Sequence, residues 1–142
     1  MVYNFEDLAI WQLARLLSVD IYAEFQNNND FGFRDQIQRA VVSIMNNIAE
    51  GFQKHKNSKD NKQFIYFLNI SSGSCGEVKS MLYLAEDLGY LSHETAKNLR
   101  EQCISVEIKI SALLKILSSN HRETTISKQP SQSEKRKTTN EI

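Results

Sequence analysis

Residues 36–51 read QIQRAVVSIMNNIAEG, and their spacing points to the class of fold. Ile37, Ala40, Val41, Ile44 and Ile48, continued by Phe52, recur at intervals of three and four, the period of one buried helix face. Arg39, Ser43, Asn47 and Glu50 are spaced four, four and three apart, so they form a polar line beside the apolar one. The spacing predicts a helix from about Phe33 to Gln53.

The same period extends on both sides. Upstream, Ile10, Ala14, Leu17, Ile21 and Phe25 predict a helix over 5–26, with Asn4 as N-cap and Glu6 and Asp7 in the first turn, where the helix dipole favours carboxylates. Trp11, Leu13, Leu16 and Tyr22 widen its apolar surface beyond what a bundle core needs. Asn27 to Asp30 make a polar turn, and Gly32 is expected to let the chain reverse. Downstream, Lys54 to Asn57 form a short connection. Ser58 is expected to cap a third helix that reaches Leu88 and carries Phe64, Phe67, Leu68, Val78, Met81, Leu82 and Ala85. Gly73 and Gly76 interrupt it, which suggests close approach of another backbone or a bulky ring. Gly89 is placed to end it in a left-handed turn.

Ser92 caps the fourth helix, where Leu99, Cys103, Val106, Ile110, Leu113 and Leu117 form a seam. Ile104, Ile108, Ala112 and Ile116 form a second apolar stripe, of the kind that marks a subunit interface or a very wide core. Short connections between four helices imply an all-α, antiparallel up-down-up-down four-helix bundle over residues 1–119. Residues 120–142 are polar and are expected to form a disordered tail, since they cannot bury enough surface to offset ordering entropy.

Composition agrees with this reading. The chain has 142 residues, one proline and five glycines, too few turn formers for an all-β fold. Seventeen basic residues balance seventeen acidic ones, so no global field draws the protein to nucleic acid or an anionic membrane. No apolar run approaches the roughly 20 residues needed to span a bilayer. Cys75 and Cys103 lie within helical patterns and read as reduced, buried thiols of a cytoplasmic protein.

Chemistry-bearing patterns are sparse. The polar line Arg39, Ser43, Asn47 and Glu50 could face Ser74 and Glu77 of the third helix. That arrangement reads as a network fixing register within or between subunits, or as a binding or catalytic site. No histidine has an acid three positions before it, as di-metal bundles require. No phosphate loop, dinucleotide fingerprint or nucleophile elbow occurs. The expectation is therefore no enzyme, no metal and no cofactor. One local basic cluster remains. Lys54, Lys56, Lys59 and Lys62 fall within nine residues against the single acid Asp60, with Phe64 and Tyr66 close by, and such a cluster can contact phosphates.

The segments FEDLAIWQLARLLSVDIY (5–22), QIQRAVVSIMNNIAEG (36–51), FIYFLNISSGSCGEV (64–78) and LAEDLGYL (84–91) resemble a bacterial four-helix-bundle family. Its members were first noticed as reading frames in intervening sequences of 23S ribosomal RNA genes. The NIAEG element at 47–51 is the most specific part. The resemblance implies an up-down bundle that assembles into a ring-shaped homo-oligomer, typically a pentamer, with no catalytic residues. The accessory protein of diversity-generating retroelements is similar in fold and binds nucleic acid and a reverse transcriptase. A familiar Arg-Arg pair of the family is here Gln38-Arg39. Two expectations follow. One is ribosomal RNA binding by a homo-oligomer through Arg34, Arg39, Lys54, Lys56, Lys59 and Lys62. The other is an adaptor for a protein partner, such as a reverse transcriptase.

Overall fold

Four helices arise from the four periodic stretches, and no strand occurs among residues 3–127, which the computed structural model describes. They are α1 (Ala9–Phe25), α2 (Phe31–His55), α3 (Lys62–Asp87) and α4 (His93–Ser127), preceded by a 3-10 turn at Phe5–Asp7. Each helix packs on the next and α4 closes back on α1, with the α2–α3 interface the most extensive. This is an up-down four-helix bundle.

The apolar faces are buried as their spacing predicts. Ile10, Ala14, Leu17, Ile21 and Phe25 of α1 meet Ile37, Ala40, Val41, Ile44, Ile48 and Phe52 of α2 in one core. On α4 the seam from Leu99 to Leu117 is buried except for half-buried Leu113. The second stripe is open, with Ile108 63% and Ile116 58% exposed. The core of one chain therefore closes without it.

Several helix ends differ from expectation. The α-helix α1 starts at Ala9, because the chain breaks at Leu8 and Phe5 folds back edge-on against Trp11 at 5.1 Å. Asn4 makes no side-chain cap. Asp30 caps α2, its Oδ1 accepting from Phe33 N at 3.2 Å. Gly32 thus lies inside the first turn of α2, and Asn27 to Asp30 alone reverse the chain. Ser58 does not cap α3: its Oγ accepts from Asp60 N at 3.3 Å, and α3 begins four residues later at Lys62. This local hydrogen bond competes with helix entry, as Ser and Asp side chains commonly do.

At the other end of α3, Gly89 has φ +74°. Its N–H reaches Glu86 O at 3.0 Å and Tyr90 N reaches Ala85 O at 2.8 Å, the paired bonds of a Schellman stop. Ser92 Oγ accepts from Thr95 N at 3.1 Å and caps α4. The backbone of α4 continues to Ser127, past Ser119 where the apolar seam ends. Adding residues to an existing helix is far easier than nucleating one, so 120–127 extend α4 instead of opening the expected tail. Residues 128–142 lie outside the described residues.

Close packing falls at a different glycine from those expected. A Cβ on Gly73 would meet nothing within 4 Å, and one on Gly76 only Glu107 Oε1 at 4.0 Å. Gly51 is the tight position: its Cβ would lie 2.8 Å from Phe67 Cβ and 3.2 Å from Phe64 Cδ1. The glycine that ends NIAEG lets α2 and α3 touch through two phenylalanines.

Candidate functional site

The polar line on α2 splits into parts. Ser43 Oγ and Ser74 Oγ share a hydrogen bond at 2.9 Å, and Asn47 Nδ2 donates to Ser43 O at 2.7 Å and to Ser43 Oγ at 2.9 Å. Ser71 Oγ adds a bond to Ile44 O at 2.9 Å. The Ser43–Ser74 and Ser71–Ile44 bonds join α2 to α3 near the middle of both helices and give them one register, while Asn47 holds Ser43 from within α2. The remaining members behave differently. Glu77 accepts from Gln36 Nε2 at 3.4 Å, and Glu50 meets Lys54 of its own helix at 3.6 Å. Arg39 forms no ion pair among the described residues, although it lines with Glu77 an open groove of about 410 Å³. An exposed pair gains only about 0–1 kcal/mol and loses side-chain entropy, so solvation of the guanidinium wins. Within one chain, then, no Arg39–glutamate pair forms among the described residues.

The six cations read from the sequence do not form one surface. Arg34 lies near the start of α2, 3.8 Å from Asp35 and stacked over Phe31 at 4.8 Å. Some twenty residues of helix separate it from Lys54, or about 30 Å at 1.5 Å per residue. Arg39 is little closer. The lysines do gather at the α2–α3 turn. Lys54 pairs with Glu50 and places Nζ 4.9 Å over the Phe67 ring, and Lys56 Nζ donates to Asn4 Oδ1 at 3.4 Å. Lys59 and Lys62 carry no side-chain ion pair among the described residues. Asp60, the acid between them, is engaged by accepting from Lys62 N at 3.0 Å. His55 sits beside them, its ring 5.3 Å from Phe64 and its buried Nδ1 without a hydrogen-bond partner.

Two polar clusters at the opposite end escaped the sequence reading. Tyr90 donates its hydroxyl to Asp30 Oδ2 at 2.6 Å and meets Phe33 edge-on at 5.3 Å, tying the α3–α4 turn to the α1–α2 turn. Glu86 binds His93 and accepts from Arg100 Nη1 at 2.9 Å, while the Arg100 guanidinium lies 4.2 Å over Tyr83. Arg100 is buried. Its place was visible in principle: Arg100 stands one turn from both Ala96 and Cys103, so it shares a buried face and needs an acid.

Both carboxylates are held below their ordinary range. The Tyr90 hydroxyl and then the Phe33 N–H act on Asp30, and hydrogen bonds from His93 and then Arg100 act on Glu86. A carboxylate depressed by folding adds stability above its unfolded pKa, and that stability is lost as pH falls through its folded pKa. The melting temperature should therefore fall as pH is lowered from about 5 towards 3. Tyr90→Phe, which removes the largest influence on Asp30, should make that fall shallower. An identical acid limb in the variant, followed by circular dichroism, would remove the Asp30–Tyr90 bond from this account.

Cys75 and Cys103 are buried and unbridged, each thiol pushed up to about 12, chiefly by burial. Both stay protonated at neutral pH and so lack thiolate reactivity. Among the described residues no group of three or more His, Cys, Asp or Glu is placed to hold a metal ion, and no helix is long and apolar enough to cross a membrane.

Comparison with known proteins bears on the fold and the family. The sequence pattern described as 23S rRNA-intervening sequence protein matches residues 6–112. A crystal structure of a protein of unknown function from the S23 ribosomal protein family of Bacteroides thetaiotaomicron superimposes with a TM-score of 0.68 at 22% identity, covering 75% of this chain and 99% of that one. It supports the bundle fold alone. No curated protein matches in sequence.

Proposed function

We propose, from the premise that this chain belongs to the 23S rRNA-intervening sequence protein family, that it is a non-catalytic bundle that assembles with copies of itself and binds ribosomal RNA through the α2–α3 turn. The observation that carries the RNA half is the pair Lys59 and Lys62, whose charges no acid of the described chain neutralises, beside Lys54 and Lys56. The net charge is zero, so attraction to phosphate is local to this end. A ring of copies, five on the number the resemblance implies, would repeat the patch and sum its field. Exposed Ile104, Ile108 and Ile116 on α4, with Leu16 and Val19 on α1, supply apolar surface for assembly.

Fluorescence anisotropy of a structured ribosomal RNA fragment with purified, RNase-treated protein tests the RNA half, at about 50 and 200 mM salt. Affinity should drop steeply with salt, and replacing Lys54, Lys56, Lys59 and Lys62 by alanine should weaken binding about equally across RNA sequences. Retained affinity in that variant would remove the lysines from the proposal. Light scattering tests assembly: Ile108→Glu should lower the particle mass while helical content persists, and an unchanged mass would contradict it.

A second reading is supported by the same exposed apolar stripes. The bundle would then be an adaptor for a protein partner, such as a reverse transcriptase. Absence of RNA binding at low salt would favour it.

A further inference from the structure

We infer that the α2–α3 end carries a stacking platform for an unpaired nucleobase, with Tyr66 as the platform and Lys62 as the adjacent phosphate contact. This rests on the RNA reading above and narrows it to single-stranded segments.

Tyr66 is 62% exposed in the first turns of α3, and its hydroxyl has no hydrogen-bond partner among the described residues. Phe67 meets the ring edge-on, with centroids 5.1 Å apart and planes at 83°. Phe67 is itself anchored, since it is buried and a Cβ on Gly51 of α2 would come within 2.8 Å of its own Cβ. The tyrosine ring is thus braced on one side by a buried residue while most of Tyr66 stays open to solvent. A face held open in this way can take another π system, and base–aromatic stacking works with any base.

The surroundings favour an anionic, planar ligand. Lys62 precedes Tyr66 by one helical turn and so shares its face. With Gln63 the two line a concavity of about 290 Å³, close to the lower size of small-ligand pockets, about 300 Å³. The Gln63 amide carries both donors and an acceptor for a base edge. Lys54 approaches from α2, its Nζ over the ring of Phe67. Cations therefore flank the aromatic pair, Lys54 at Phe67 and Lys62 beside Tyr66, as phosphates flank a stacked base along a single strand. A paired RNA helix keeps its bases stacked inside and offers none to a side-chain ring. Unpaired nucleotides are the ligands that fit.

The test compares a labelled, unstructured RNA of about 12 nucleotides with a fully paired hairpin, using the full chain and its Tyr66→Ala, Tyr66→Phe and Lys62→Ala variants. Tyr66→Ala should lose about tenfold in affinity for the single strand with its salt slope unchanged, and Tyr66→Phe should bind like the parent. Lys62→Ala should reduce the salt slope by about 1. Tyr66 is exposed and alanine favours helix, so unchanged circular dichroism will show that the fold is kept. Parental affinity in Tyr66→Ala, or equal losses on single strand and hairpin, would overturn the platform while leaving RNA binding in place. Failure of the parent protein to bind either RNA would instead overturn the RNA reading on which the platform depends.

Discussion

Gly51→Ala is expected to lower the melting temperature, even though alanine is the better helix former. The propensity gain is about 1 kcal/mol. Against it, the new methyl would sit 2.8 Å from Phe67 Cβ, and Phe64 Cα lies only 3.6 Å away. Neither atom is the free end of a flexible side chain, so α2 and α3 must separate or Phe64 and Phe67 must leave their rotamers. Overpacking of this kind costs about 1–3 kcal/mol, and α2–α3 is the most extensive interface of the bundle. A net loss of about 1 kcal/mol or more is expected. Gly73→Ala should do the opposite, raising stability by about 0.5–1 kcal/mol, because nothing lies within 4 Å of its added Cβ. Thermal unfolding of the two variants decides the matter. A rise for Gly51→Ala would mean that the helices yield easily there. A fall for Gly73→Ala would mean that something outside the described chain approaches that glycine.

Ile44→Ala should be the more damaging change, with a loss of about 2–5 kcal/mol. Ile44 is fully buried at the middle of α2, and its carbonyl accepts the hydrogen bond from Ser71 across the interface. Removing three carbons leaves a cavity that two register-locked helices cannot collapse into. Ile108→Ala, by contrast, trims a side chain that is 63% exposed, and an isolated chain should notice it by no more than about 0.5 kcal/mol. Urea unfolding at low protein concentration measures both. Comparable losses at the two positions would show that the second stripe of α4 is already covered under those conditions.

The periodic apolar positions carried nearly all of the fold. Every core residue assigned to α1, α2 and α3 is buried, because a spacing of three and four leaves a helix one way to hide that face. Gly89 and Ser92 were equally legible, since a left-handed stop and a hydroxyl cap are local geometries with few residue choices. Ser58 misled for the same reason: its hydroxyl had two local partners open to it, and the turn prevailed over the helix. The candidate site was less legible. The lysine cluster is contiguous in sequence and stays together, whereas Arg34 and Arg39 share a helix with it but lie along a rod too long to make one surface.

The sequence by itself determined four amphipathic helices, their order, the apolar faces of the core and the basic turn between α2 and α3, since all of these follow from spacing along one chain. Tertiary structure alone decided which glycine lies against a neighbouring helix, which carboxylates answer Arg100 and Tyr90, and that Arg39 and Glu77 share a groove without bonding. It also left Tyr66 with an open ring face beside Lys62. Those outcomes depend on distances between helices, set by how side chains of different size mesh across an interface, and periodicity along a single helix carries no measure of that distance.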